Sequence, residues 1–149
     1  MKKTYKSKIS EYSLKYTKSK IQKTKVTTSE SASNVIRKFY FDDINIYESF
    51  FILLLNRQNV TTGFAKISQG GTAGTVVDIK IIAKYAIESL SSSVIICHNH
   101  PAGNKQPSDA DINITKKIKD VLLLLDIKLI DHIIITENDF YSFADNSDL

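Results

Sequence analysis

Apolar positions follow two rhythms along this chain. In "SESASNVIRKFYF", Val35, Ile36, Phe39 and Tyr40 fall at helical spacing behind Ser29 or Ser31 as N-cap, which predicts a helix. "YESFFILLLN" (47–56) holds an unbroken apolar run of strand length, the mark of a strand buried on both faces. "NRQN" turns the chain and "VTTGFAKIS" follows as a second strand, so the two predict a hairpin. "QGGTAGT" reads as a flexible or tightly turned connection, because glycine tolerates positive φ.

The helical period returns in "DIKIIAKYAIESLS" (78–91), with Asp78 as cap and Ile81, Ile82, Tyr85, Ala86 and Ser89 as the buried stripe. "SVIICH" (93–98) is a β-branched core strand that runs into a polar loop. "SDADINITKKIKDVLLLL" (108–125) is a third helix. Ser108 and Asp111 have the spacing of a capping box, and Ile112, Ile114, Ile118 and Val121 to Leu125 are expected as its apolar side. "IKLIDHIIIT" (127–136) is another core strand, "END" a turn, and "FYSFAD" a last strand at or near an edge. This order predicts an α/β domain, a mixed sheet with helices on its faces. Sites in such sheets collect beyond the carboxyl ends of strands where a helix begins, which singles out the step from 93–98 to 108–125.

Composition adds bounds. The 149 residues suit one domain with a tail, and 42% hydrophobic with 24% charged residues is ordinary for a globular protein. The longest apolar run, "FFILLL", falls far short of the ~18 residues a membrane span needs. The charged N-terminus does not resemble a secretion signal, and one cysteine excludes an internal disulfide and a four-cysteine zinc site; a cytoplasmic location is expected. Charge is uneven. Residues 1–25 hold nine lysines and one glutamate, a net +8 against +4 for the whole chain, so the remainder carries −4. A lysine-rich arm (1–28) before a folded domain (29–149) suggests nucleic-acid contact through Lys2, Lys3, Lys6 and Lys8. Lysines without arginines give charge but no base selectivity, and a solvated tail is the plainer alternative.

The chemistry concentrates in "CHNHPAGNKQPSDAD" (97–111), which holds two of the three histidines. Residues i and i+2 of a strand point the same way, so His98 and His100 share a face while Cys97 and Asn99 point opposite. Pro101 stops the strand and Gly103 lets the chain bend. The ten residues between His100 and an acid at 111 suffice to bring the first helical turn back beside the imidazoles. Asp109 and Asp111 both occupy that turn, where acids also favour the helix dipole. Two imidazole nitrogens and one carboxylate leave a tetrahedral zinc one open position, the mark of a catalytic rather than a structural site. Zinc so held lowers the pKa of its water to ~7. On the strand at 127–136, Asp131 and His132 face opposite ways, so only one can look toward the site; His132 either orients a ligand or substrate there or is a hydrogen-bonded core histidine.

His98-x-His100, Ser108 and Asp111, with "HNHPAG", "PSDADINITKKIKDVLLLLDIKLIDH" and "LIDHIII", resemble the JAMM (JAB/MPN) metalloprotease motif as it occurs in the bacterial RadC family. The resemblance covers roughly residues 30–145. It implies a cytidine-deaminase-like three-layer α/β/α fold and a single zinc, with Asp111 rather than Asp109 as the third ligand. It also implies an isopeptidase-like site acting on a peptide or isopeptide amide through zinc-activated water. Glu48, just before the first core strand, takes the family's glutamate position as general base and then acid, and Ser108 assists the oxyanion. RadC relatives often carry an N-terminal helical domain suggestive of DNA binding, where this chain has its lysine-rich residues. The rival expectation, which rests on the charge of the arm, is a nucleic-acid-associated accessory module, DNA-repair-labelled in the family, that binds through that arm.

Three other readings are set aside. HNH nucleases spread their motif over two strands and a helix rather than one tripeptide. Zinc deaminases need His-x-Glu and a Cys-x-x-Cys pair, which one cysteine cannot supply. A Cys97 hydrolase needs the thiol beside an imidazole, whereas period-two alternation turns Cys97 toward the core.

Overall fold

The unbroken apolar run at 50–55 becomes part of the interior of a sheet. In this computed structural model, which describes residues 22–40, 43–71 and 74–149, β1 (Ser49–Leu55) is buried at all seven positions. So is β3 (Ser93–Asn99). Around them lie β2 (Thr61–Gln69), β4 (Lys128–Ile135) and the short β5 (Phe140–Ser142), in the order β2-β1-β3-β4-β5. β1 runs antiparallel to both β2 and β3, β3 and β4 are parallel, and β4 and β5 are antiparallel. The parallel pair requires a crossover, and α3 (Asp109–Leu124) supplies it. Among the described residues the architecture is thus a mixed five-stranded sheet with three α-helices, the other two being α1 (Ser29–Ile36) and α2 (Ile79–Glu88). The expected nucleic-acid contacts Lys2, Lys3, Lys6 and Lys8 lie outside the described residues.

Alternation along the central strands sorts their side chains into two cores. Phe51, Leu53, Leu55, Ile95, Cys97, Ile133 and Ile135 pack with Val35 and Ile36 of α1 and with Phe39 and Tyr40. Phe50, Ile52, Leu54, Val94 and Ile96 pack with Ile82 and Ala86 of α2 and with Ile118 and Leu122 of α3. Each fully buried aliphatic or aromatic side chain contributes roughly 1.5–3 kcal/mol. Packing reaches back before α1: Val26 is buried, and Lys25 bridges Val60 beside β2.

Local details depart from the sequence pattern in three places. Neither Ser29 nor Ser31 is the N-cap of α1. Thr28 caps it, and Ser31 closes a reciprocal box by accepting from the Thr28 N–H. On α2, Ile81 is 38% exposed while Ile82 and Ala86 carry the burial, because the helix presents a narrow i, i+4 stripe. On α3, Ile112, Leu123, Leu124 and Leu125 are exposed, and the buried positions are Thr115, Ile118 and Leu122. The inward stripe there is Asp111, Thr115, Ile118 and Leu122, at helical intervals of four, three and four, and it begins polar. Where Gly70 approaches Gly74, a Cβ at Gly70 would lie 1.8 Å from the Gly74 carbonyl oxygen, and Gly74 has φ of 142°, so both positions need glycine.

Candidate metal centre

The carboxyl end of β3 meets the start of α3. His98 faces α3 because it continues the Val94–Ile96 face, and His100 follows just past the strand, its N–H donating to the Ile135 carbonyl. The chain then turns through Gly103, whose φ is 85° and whose N–H donates to the His100 carbonyl. Ser108 caps α3, and its Oγ accepts the Asp111 N–H. Both the Ser108 N–H and its hydroxyl donate to Asp111 Oδ2, each at 2.7 Å. The capping box therefore aims the Asp111 carboxylate at the histidines.

The three side chains converge. His98 Nε2 lies 2.9 Å from His100 Nε2 and 3.2 Å from Asp111 Oδ1, and His100 Nε2 lies 3.5 Å from Asp111 Oδ2. Asp109, the competing acid, is exposed and is not a member of this cluster. His100 Nδ1 sits 2.6 Å from the Asn104 carbonyl, which can only accept, so Nδ1 carries the proton and neutral His100 turns the Nε2 lone pair inward. The hydrogen bond to Asp111 raises the His100 pKa above its ordinary 6.5, against a smaller opposing effect of burial. Burial alone would raise the Asp111 pKa, but the His100 and His98 imidazoles beside it, together with the Ser108 N–H, hold it far below the usual carboxylate range.

This donor set fits a zinc ion. Ligand atoms 2.0–2.1 Å from a tetrahedral zinc lie about 3.3 Å from one another. The separations of 2.9, 3.2 and 3.5 Å bracket that value. Two imidazole nitrogens and a carboxylate are also the donor types zinc prefers.

Glu48 precedes β1 and is partly buried. It lines a depression of about 200 Å³ with Phe50, Val77, His98, Asp111 and Ile114. On its other side it lines a groove with His100, Pro101, Pro107 and Ser108. Backbone bonds hold it: its N–H donates to the Gly71 carbonyl, and its carbonyl accepts from the Gly70 N–H.

His132, on β4, lies on the same side as His98, with Nε2 2.8 Å from His98 Nδ1. Burial, then the neighbouring His98, pushes its pKa well below the ordinary value. Asp131 faces the other way, accepting from the Ser142 hydroxyl and the Ala144 N–H. Burial pushes its pKa up, although those hydrogen bonds oppose the shift. Cys97 is fully buried in the α1-side core, where burial pushes its thiol pKa up.

Two residues to which sequence reasoning gave no role complete the surroundings. Asn99 is fully buried between the two histidines and points to the opposite face. Its amide donates to the Ile44 and Tyr47 carbonyls at 2.7 and 2.8 Å, and its Oδ1 accepts the Ser49 N–H at 2.8 Å. It thereby pins the segment that carries Glu48 to the strand that carries the histidines. Thr115 is buried one turn after Asp111, with its Oγ1 2.6 Å from His132 Nδ1. The signal for Asn99 was its place between two same-facing residues at a strand end. The signal for Thr115 was its i+4 spacing from an inward acid.

The model of the RadC-like JAB domain matches residues 26–148. The chain belongs to the RadC-like JAB domain family. A UPF0758 protein of Flavobacterium johnsoniae is 42% identical over 121 residues, which are 81% of this chain and 52% of that protein. UPF0758 proteins of Clostridium beijerinckii and Porphyromonas gingivalis are 44% identical over 94 residues and 35% over 121. Those matches cover 63% and 80% of this chain, and 41% and 52% of the respective relatives. The chain spans about half the length of the curated relatives it matches. Among the described residues, no helix is long and apolar enough to cross a membrane.

Proposed function

We propose that this RadC-like JAB domain is a zinc-dependent hydrolase of the JAMM type that cleaves a peptide or isopeptide amide. The observation that carries the reading is the convergence of His98 Nε2, His100 Nε2 and an Asp111 oxygen within 4.8 Å of one another. Neutral imidazoles and an ionised carboxylate present only lone pairs to one another, an arrangement that a shared cation resolves. His98, His100 and Asp111 would hold the ion. When bound, it supplies a water acidified toward neutral pH and polarisation of the scissile carbonyl.

The remaining chemistry falls to this chain's own side chains. Glu48 takes a proton from the attacking water and returns it to the leaving amine, a general-base and then general-acid role that its place between the two depressions allows. Ser108 donates to the developing oxyanion, for which its hydroxyl must turn away from Asp111 Oδ2. The apolar walls formed by Phe50, Val77 and Ile114 limit water at the reacting centre. The domain is further read as the three-layer cytidine-deaminase-like fold, acting in the cytoplasm. Metal analysis of the purified chain tests the reading. About one zinc per chain, lost in His98→Ala and retained in an inactive Glu48→Gln, is the expected result. A metal-free wild type contradicts it.

A second reading rests on charge. The net +8 of residues 1–25 favours contact with nucleic acid as an accessory role. DNA binding that weakens steeply with salt, disappears on deleting residues 1–25 and ignores Glu48→Gln supports it.

A further inference from the structure

The hydrogen bonds behind His98 run in one direction only. Thr115 Oγ1 lies 2.5 Å from the main-chain carbonyl of Asp111 and 2.6 Å from His132 Nδ1. A carbonyl oxygen only accepts, so the threonine proton goes to Asp111, the back-bond usual for a helical threonine. The hydroxyl oxygen can then only accept from the ring, which places a proton on His132 Nδ1. His132 is fully buried, stacked on Phe143 with ring centroids 4.6 Å apart and flanked by Phe50. Neither ring nitrogen has a carboxylate partner, so the ring stays neutral and its Nε2 is an acceptor. The proton on the 2.8 Å contact must therefore come from His98 Nδ1. With Nδ1 protonated, the His98 Nε2 lone pair points at His100 and Asp111.

We propose that Thr115 and His132 are positioning residues that lock His98 in its Nδ1–H tautomer, so that Nε2 is presented for metal binding before any ion arrives. This rests on the metal-site reading above. The relay starts at the Asp111 carbonyl and ends at a ring whose free nitrogen faces the Asp111 carboxylate. One residue thus offers its side chain to the metal and uses its backbone to set the partner ligand. Two of the three ligands come from different elements, and the relay through β4 ties them together. The orientation of a metal-binding imidazole is usually fixed by what its other nitrogen contacts, and loss of such a partner lowers affinity by roughly 10–100-fold.

Imidazole ¹⁵N spectra of the full metal-free chain test the tautomer directly, and zinc competition titration tests its consequence. In wild type, His98 shows a protonated Nδ1 and a bare Nε2. Thr115→Val, which keeps the shape but removes the hydroxyl, gives a mixture of His98 tautomers and zinc affinity weaker by about 10–100-fold. Thr115→Ser, which restores the hydroxyl, returns both to wild type. Nε2–H on His98 in the metal-free wild type overturns the proposal, and that reading needs no variant to fold. A Thr115→Val protein with an unchanged tautomer and affinity within about threefold of wild type also overturns it. A wild type that shows the tautomer but takes up no zinc defeats the metal-site reading and leaves the tautomer lock standing.

Discussion

The two ends of α3 carry the same inward stripe with opposite chemistry. At its carboxyl end, Ile118 and Leu122 are fully buried while Leu124 is 86% exposed. At its amino end, the stripe positions are Asp111 and Thr115, and it is the isoleucine at 112 that faces outward. One end of the helix stabilises the sheet by apolar contact. The other end brings hydrogen-bonding groups to the carboxyl end of β3. A single helix thus separates stability from chemistry along its length, and substitutions at the two ends are expected to fail differently.

The largest effect on folding belongs to the apolar end. Leu122→Ala leaves a cavity in a fully buried position and is expected to lower unfolding free energy by about 2–5 kcal/mol. The folded fraction is expected to keep wild-type zinc stoichiometry. Denaturant melts with metal analysis of the same samples check both parts, and loss of zinc from a folded Leu122→Ala protein would break the separation. At the polar end, Asp111→Ala removes the capping box and is expected to destabilise the metal-free fold by only about 0.5–2 kcal/mol. Its zinc affinity is expected to fall by more than the roughly 100-fold that loss of a supporting group alone produces, measured by chelator competition.

Acid sharpens the contrast. His100 binds its proton above its ordinary 6.5, so as pH falls through that raised value the proton occupies the nitrogen that zinc needs. Zinc affinity is therefore expected to drop with falling pH. The metal-free fold moves the other way: a histidine whose folded pKa is raised contributes stability that is full below its unfolded pKa and is lost as pH rises through the folded one. Parallel titrations of affinity and metal-free stability, with His100→Ala as reference, check the opposite signs. The smallest effect is at Leu124: its exposure predicts a change within about ±0.5 kcal/mol for Leu124→Ala, read from the same melts.

The same division explains what the sequence disclosed. β1 and β3 were legible because the apolar runs at 50–55 and 94–97 fit best at the sheet centre. His98 and His100 were legible because period-two alternation puts them on one side, and Ser108 with Asp111 because a capping box has fixed spacing. The buried face of α3 was misread, since counting apolar residues favours Ile112 and Leu123 to Leu125 over a stripe that starts with an acid and a threonine. Spacing alone left Asp109 and Asp111 open and the family resemblance selected Asp111; in the fold only Asp111 joins the histidines. Asn99 was placed on the opposite face, but its bonding role and that of Thr115 were not legible, because their partners are main-chain groups and a histidine on β4, which no local pattern records.

The central claim is that His98, His100 and Asp111 together hold one zinc. X-ray absorption at the zinc edge of the loaded chain tests it most directly. The account predicts a four-coordinate ion with about two imidazole nitrogens and oxygen ligands at 2.0–2.2 Å, with imidazole scattering reduced in His98→Ala. An ion ringed by oxygen alone, or a signal unchanged by His98→Ala, would contradict it.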